Sequence, residues 1–490
     1  MKLQSKKTAA GKSIAWVFSV ALLLVCFGCE PPAPVNNTTA TATNVNENAA
    51  PVNSAPVNSS NVAAAPNKES QAGMPVTLPV LDAMFTEEDF VGELKSKAQL
   101  SDEQIQNLKK LSREAVGNLD EGKSGESGGS TRAAMERADK EIRAMLGEEK
   151  TSKLFDVVRQ RWAQGIDEAD NSSGNSSDKT AKANAIPTDT RIVVNAPAYR
   201  MDIFQTGKLV KSYKIGIGYP EFPLPSGMRK ADTIIFNPTW TPPDEAWVKG
   251  KIEAGKTVAA GDKLNPLGPI KIPIGSPSLI HGGKQVAKLG GFASHGCVGL
   301  TNPQVQDFAF ELGKISGLSL TAADIKNYEK QKTETKNVKL DKAVPVELRY
   351  ETIVVENGKL KIFRDVYERG TNTEENLRRV FDGYGVSFDS LNEAQRTKIF
   401  AGLKQMAFDA EGQPVDAENN QPNNGDMKSG TNANSKTPVA NSKTKGGSNS
   451  KDAGADDGKV TRSIKGKKEV SFDIAELKGK GYPSPIGMTQ

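Results

Sequence analysis

The only two histidines in this 490-residue chain lie in one stretch, SLIHGGKQVAKLGGFASHGCVGLTN. The same stretch carries Cys297, sixteen residues after His281 and two after His295. A thiol with an imidazole in reach is the minimum for acyl transfer: the ring takes the thiol proton and the thiolate attacks a carbonyl. Sixteen residues rich in glycine can fold back far enough to bring the two together. Gly296 lets the backbone approach a substrate closely and lets N–H groups face a developing oxyanion. Gly282, Gly283, Gly290 and Gly291 supply tight loops around the pair. Two blander assignments compete. His281, His295 and Cys297 are all good zinc ligands, but no fourth ligand stands at a workable spacing, so a metal site is not expected. A lone thiol can also be an inert core residue.

Strand-like segments must hold this loop. From about 187 the pattern turns to short apolar runs, Arg191–Val194, Arg200–Gln205 and Leu209–Gly218, punctuated by Pro and Gly up to residue 300. A helix with Val305, Phe308, Ala309 and Leu312 on one face closes the region. Residues 344–368 read as a hairpin turning at Asn357-Gly358, followed by helices near 374–384 and 391–408. Upstream, 78–165 is helical. Ser101 and Gln104 form a capping-box signal, and Ile105, Leu108, Leu111 and Val116 then recur at helical spacing. This module reads as a spacer or partner-docking element. The expected fold is a mainly β catalytic domain of β-sandwich-like mixed sheets, preceded by a small α-helical module.

Composition divides the rest. Residues 1–29 hold a basic start, the apolar run Ile14–Phe27 and Gly28-Cys29, which is a secretory signal in outline. The run is short for a spanning helix. Cys after Gly resembles a bacterial lipoprotein signal in which Cys29 becomes the lipidated N-terminus; an ordinary cleaved signal and an uncleaved anchor stand beside it. Each exports the rest of the chain to the periplasm or cell envelope, and lipidation tethers it to a membrane. Residues 30–77 form a low-complexity tether with Ala-Pro-Val-Asn repeated three times, 166–186 a polar linker, and 411–490 a mostly disordered tail. Of the three cysteines, Cys26, Cys29 and Cys297, cleavage before Cys29 leaves Cys297 the one free thiol. A net charge of +5 without clustering gives no nucleic-acid footprint.

The motif resembles the signature of the L,D-transpeptidases, the YkuD-type catalytic domain: His-Gly, about a dozen residues, then Ser-His-Gly-Cys and an aliphatic residue. Here these are His281-Gly282 and Ser294-His295-Gly296-Cys297-Val298. NPTWTPP at 237–243, NPLGP at 265–269 and the helix NPQVQDFAFEL are similar too, so the likeness covers about 187–320. The 344–368 hairpin resembles a region that follows the catalytic domain in long family members, and 340–410 reads as that hairpin plus helices appended to the catalytic domain.

This resemblance implies the chemistry. Cys297 attacks the carbonyl of the diamino acid in a tetrapeptide stem of peptidoglycan, D-Ala leaves, and an amine resolves the thioester. The amine belongs to another stem or to a wall-anchored protein. His281 serves as base and then acid, oriented by a backbone carbonyl such as that of Gly282. His295 and Ser294 shape the loop, and the N–H groups of Gly296 and Cys297 are candidate oxyanion donors. Hydrolysis by an L,D-carboxypeptidase of the same fold is the variant reaction. One departure stands out: Gly299 replaces the Arg or Asn that the family places two residues after its cysteine. Arg229, Lys284 and Lys288 are the cations that could compensate, and a wall-binding lipoprotein without catalysis is the alternative if none does. Trp240 and Trp247 are core residues or line a glycan groove.

Overall fold

The structure, a computed structural model, describes residues 73–117, 130–164, 184–241, 256–408 and 464–488. The expected leader with Cys29, most of the tether, the linker up to 183, the tail from 409 to 463, and Trp247 lie outside the described residues.

Five helices form the N-terminal module: α1 (Leu78–Met84), α2 (Glu88–Ser96), α3 (Asp102–Gly117), α4 (Thr131–Leu146) and α5 (Glu148–Gln164). Their apolar faces meet around Leu81, Phe90, Leu108, Ile142 and Phe155, all almost fully buried. Polar side chains cap the starts of α1 (Thr77), α3 (Ser101) and α4 (Ser130). Ser101 and Gln104 close a reciprocal capping box at α3, with Gln104 N–H donating to Ser101 Oγ at 3.2 Å and Ser101 N–H to Gln104 Oε1 at 3.1 Å. Arg161 near the end of α5 fastens it to α2 by pairing with Glu87, Asp89 and Glu93.

The β region begins with β1 (Arg191–Asn195), β2 (Arg200–Gln205), β3 (Lys208–Lys214), β4 (Ile217–Gly218) and β5 (Gly227–Phe236). Then come β6 (Ile270–Pro273), β7 (Leu279–His281), β8 (Phe292–Ser294) and β9 (Val298–Gly299), followed by helices α6 (Asn302–Ser316) and α7 (Ala322–Lys330). The last elements are β10 (Lys336–Arg349), β11 (Ile353–Glu356), β12 (Lys359–Phe363), α8 (Glu374–Gly383), α9 (Glu393–Met406) and β13 (Glu469–Asp473). Eight strands form a mixed sheet in the order β3-β2-β1-β10-β5-β6-β7-β9, and β4 pairs with β8 beside it. Helix α6 buries Val305, Phe308, Ala309 and Leu312 against this sheet. The expected class therefore holds: mainly β, mixed sheets, helices in front.

One feature differs from the reading of the sequence and another gives a partner to a segment the sequence left unpaired. The 344–368 segment is not one hairpin. Its first half divides: Val344–Arg349 ends the long β10, which lies between β1 and β5, while Ile353–Glu356 pairs with β12 in a separate three-stranded sheet. Only the turn at Asn357-Gly358, with both residues at positive φ, is the hairpin turn that the Asn-Gly pair signals. Within the 411–490 stretch, residues 464–488 are ordered against the rest. Strand β13 pairs with β12, and farther on Ile486 accepts from Ser212 N–H at 2.9 Å.

Two buried threonines of the helical module hold one loop of the β region. Thr77 Oγ1 donates to Glu221 O at 2.6 Å, and Thr131 Oγ1 donates to Pro220 O at 2.7 Å. Both threonines are buried. Replacing Thr131 by Val keeps the shape but strips a buried carbonyl of its donor, which costs about 1–3 kcal/mol. Thr131→Val is thus expected to lower the thermal midpoint by several degrees. An unchanged midpoint would show that the hydroxyl contributes nothing to docking.

Candidate active site

His281 ends β7, with Lys271 of β6 on one side and Gly299 of β9 on the other. The ring is buried, 3% exposed, and its Nδ1 lies 2.8 Å from the carbonyl oxygen of Gly282. A carbonyl only accepts, so Nδ1 carries the proton and the basic lone pair of the neutral ring is on Nε2. Burial is the main reason that the imidazolium is disfavoured, with the Lys284 charge adding to it; together they push the His281 pKa down to about 3.

Cys297 stands in the turn between β8 and β9. Ser294 shapes that turn from inside. Cys297 N–H donates to Ser294 Oγ at 3.1 Å, while the Ser294 hydroxyl donates to Cys297 O. The Cys297 amide is therefore already committed, which leaves the Gly296 amide as the turn's other candidate donor to an oxyanion. Ser278 adds a second brace by donating to Gly296 O at 2.9 Å. Gly296 has φ +81°, a conformation that a side chain would strain. The His295 ring sits edge-on between Phe222 (4.8 Å) and Tyr219 (5.1 Å).

The Cys297 residue is half-buried, but its sulfur is desolvated, which raises the thiol pKa; the Leu279 backbone and the charges of Lys284 and Lys271 pull it back in part. Burial thus favours the neutral form of both groups, the imidazole and the thiol. Iodoacetamide should accordingly react with Cys297 slowly at neutral pH, and the rate should climb only above the ordinary thiol range. A reactive plateau on the acid side of neutrality would contradict this.

The flanking motifs hold the histidine in place. Asn237 Nδ2 donates to the carbonyls of Tyr328, Gln331 and Glu334, and Asn237 N–H donates to Pro269 O at 2.7 Å. Asn265 Nδ2 reaches Pro238 O at 2.8 Å, and its Oδ1 accepts from Leu267 N–H at 3.1 Å. These ties lock the NPLGP loop against Gly282-Gly283 and bring the Leu267 backbone to His281. Residues 242 and 243 of the first motif lie outside the described residues. Trp240 pairs through its backbone with Val258 and is half-buried.

The three cations considered for Gly299 are placed differently. Arg229 is buried and engaged with Trp162 O and Ser276 O. Lys288 is exposed on a short 3-10 turn, Val286–Lys288. Lys284 lies across Gly299, its Cγ 2.8 Å from where a Cβ would stand. Lys271, Ser278, Tyr219 and Phe222 escaped the reading of the sequence. Lys271 looks like the polar member of an alternating strand, IKIP, and only the register with β7 reveals its neighbour. Among the described residues, no three or more His, Cys, Asp or Glu side chains are grouped to hold a metal ion.

Residues 189–314 match the family model of the YkuD L,D-transpeptidase catalytic domain. The chain thus contains a YkuD-type domain. No curated protein matches it. Among solved structures it is similar to the catalytic domain of the Enterococcus faecium L,D-transpeptidase (16% identity, 34% of this chain and 100% of that one, TM-score 0.22). It is also similar to a mutant of the E. faecium L,D-transpeptidase (17% identity, 33% and 50%, TM-score 0.21). A third is an L,D-transpeptidase from Mycobacterium tuberculosis (14% identity, 33% and 57%, TM-score 0.19). The aligned part of this chain spans only about half the length of the latter two.

Proposed function

We propose that the protein is a peptidoglycan L,D-transpeptidase of the cell envelope, with Cys297 as nucleophile and His281 as base. The observation that supports this most is the imidazole fixed by Gly282 O in the tautomer that leaves Nε2 basic, in the strand beside the cysteine turn. In the proposed cycle the thiol proton passes to Nε2 as sulfur attacks the carbonyl of the diamino acid in a tetrapeptide stem. The C–N bond to D-Ala breaks, its nitrogen takes the proton from His281, and a thioester remains. An acceptor amine attacks that carbonyl and gives a proton to His281. The C–S bond breaks and the proton returns to sulfur. Gly296 N–H is the amide available to the oxyanion, and Ser294 holds the turn that presents it. The acceptor is a stem amine or one on a wall-anchored protein. If Cys29 is lipidated, it tethers the domain to a membrane. No cofactor takes part.

Tetrapeptide-rich sacculi incubated with the protein and with Cys297→Ala test the reading. Crosslinked dimers that depend on Cys297 are expected. Trimmed stems without dimers would convert it to a hydrolase, and identical muropeptide profiles would reduce it to a wall-binding protein.

A further inference from the structure

The register of β6, β7 and β9 places several functional side chains on one face of the sheet. Lys271 is directly opposite His281 across the antiparallel β6–β7 pair, and His281 is opposite Gly299 across the parallel β7–β9 pair. Side chains at opposed positions share a face. Cys297 ends the turn that leads into β9, two residues before Gly299. Gly299 itself contributes no side chain. Its empty Cβ direction is filled by Lys284, whose Cγ, Cε and Cδ lie 2.8, 3.1 and 3.4 Å from the position that a Cβ would occupy. Gly299 is thus the residue that lets the stem of Lys284 cross the face. The result is two ammonium groups near one thiol, carried by two different segments.

These cations act on the reacting groups. The Lys284 charge bears on both His281 and Cys297, and the Lys271 charge bears on both as well. Lys271 is half-buried, and among the described residues the titratable group that couples to its charge is the Cys297 thiol, with no carboxylate beside it. A half-desolvated ammonium facing a reaction centre is well placed to meet an anion from outside the chain.

We propose that Lys271 and Lys284 form a two-cation clamp for a carboxylate of the donor peptide, that of the departing C-terminal residue. This rests on the transpeptidase reading of the site. In such a donor that carboxylate is separated from the scissile carbonyl carbon by only the leaving nitrogen and one α-carbon, so it must lie within a few ångströms of the sulfur's target. Both lysines border that zone. The clamp makes the site selective for a free C-terminal acid and gives Gly299 a function: clearance for Lys284.

The Cys297→Ala protein, which cannot turn the donor over, is titrated calorimetrically with three tetrapeptides. One is the free acid, one is amidated at the departing residue, and one is amidated at the diamino acid. A charge-assisted contact predicts that the terminal amide binds about tenfold to a hundredfold more weakly than the free acid. The diamino-acid amide should bind like the free acid. Lys271→Gln and Lys284→Gln should each narrow the acid–amide gap, and the double variant should close it. Lys271→Arg and Lys284→Arg, which keep charge and need no refolding of the site, should preserve it. Gly299→Ala should narrow it by displacing the Lys284 stem. Equal binding of acid and terminal amide, a gap that survives the double Gln variant, or a gap that tracks the diamino-acid carboxylate instead would overturn the clamp. Turnover of the free tetrapeptide by the Cys297-containing protein separates the two claims. Turnover without an acid–amide gap removes the clamp alone. A gap closed by the lysine variants without turnover removes the transpeptidase reading and leaves a carboxylate site.

Discussion

His281→Gln is expected to reduce kcat/KM for a tetrapeptide donor by about 10²–10⁴-fold, the usual contribution of a positioned general base, while leaving the thiol in place. Glutamine fits the buried site and can still donate to Gly282 O, so the loss comes from the missing basic nitrogen and not from collapse of the loop. Its pH dependence is the sharper signature. The working form is the neutral imidazole, and burial with the Lys284 charge holds the folded pKa near 3, against 6.5 for an ordinary imidazole. The active fraction is therefore set by the folded value alone and is lost only as pH falls through it. The acid limb of kcat/KM in the natural protein should lie far below 6.5, and His281→Gln should lack it. The same shift makes folding stability fall as pH drops from 6.5 toward 3, because the unfolded chain binds a proton that the folded one resists. An acid limb near 6.5, or a glutamine variant with nearly full activity, would remove His281 from the role.

Sequence distance decides how much of this was legible in the chain. His281, Ser294, His295, Gly296 and Cys297 lie within seventeen residues, and their types alone point to thiol chemistry. The helical module was legible for the same reason, since a capping box such as Ser101–Gln104 is complete within four residues. What escaped depends on pairing between distant segments. Strand β10 reads as the arm of a local hairpin because Val344–Val355 is continuously strand-like. Its division between two sheets is set by β1 and β5 on one side and β12 on the other. The segment VSFDIAEL reads as a strand that returns to pair, but its partner β12 lies more than a hundred residues away beyond a long polar stretch, so no local signal names that partner. Lys271 is the functional counterpart of this problem: a lysine in an alternating strand acquires meaning only when register sets it opposite His281.

The same dependence on distant pairing makes Gly218 the most sensitive small residue at the site. Strand β4 sets Gly218 beside Ser294 of β8, and the space above its Cα is filled from two sides. An added Cβ would lie 2.1 Å from Phe222 O and 3.1 Å from both N and Cα of Gly296. These are backbone atoms, so no rotamer change can relieve the clash. Either the 219–226 loop moves, taking its bonds from Thr77 and Thr131 with it, or the Gly296–Cys297 turn moves. Overpacking of this kind costs about 1–3 kcal/mol, and a backbone obstacle places Gly218→Ala at the upper end. Activity should fall more than stability, because a displacement of about 1 Å at a reacting group can cost a hundredfold. Gly92→Ala is the matched control. Nothing lies within 4 Å of its added Cβ, and it sits inside α2. There alanine should stabilise the helix by up to about 1 kcal/mol and leave turnover unchanged. Thermal melts and donor turnover on the two variants decide the point. If Gly218→Ala melts and turns over like the natural protein, the loop between the helical module and the cysteine turn is not rigid.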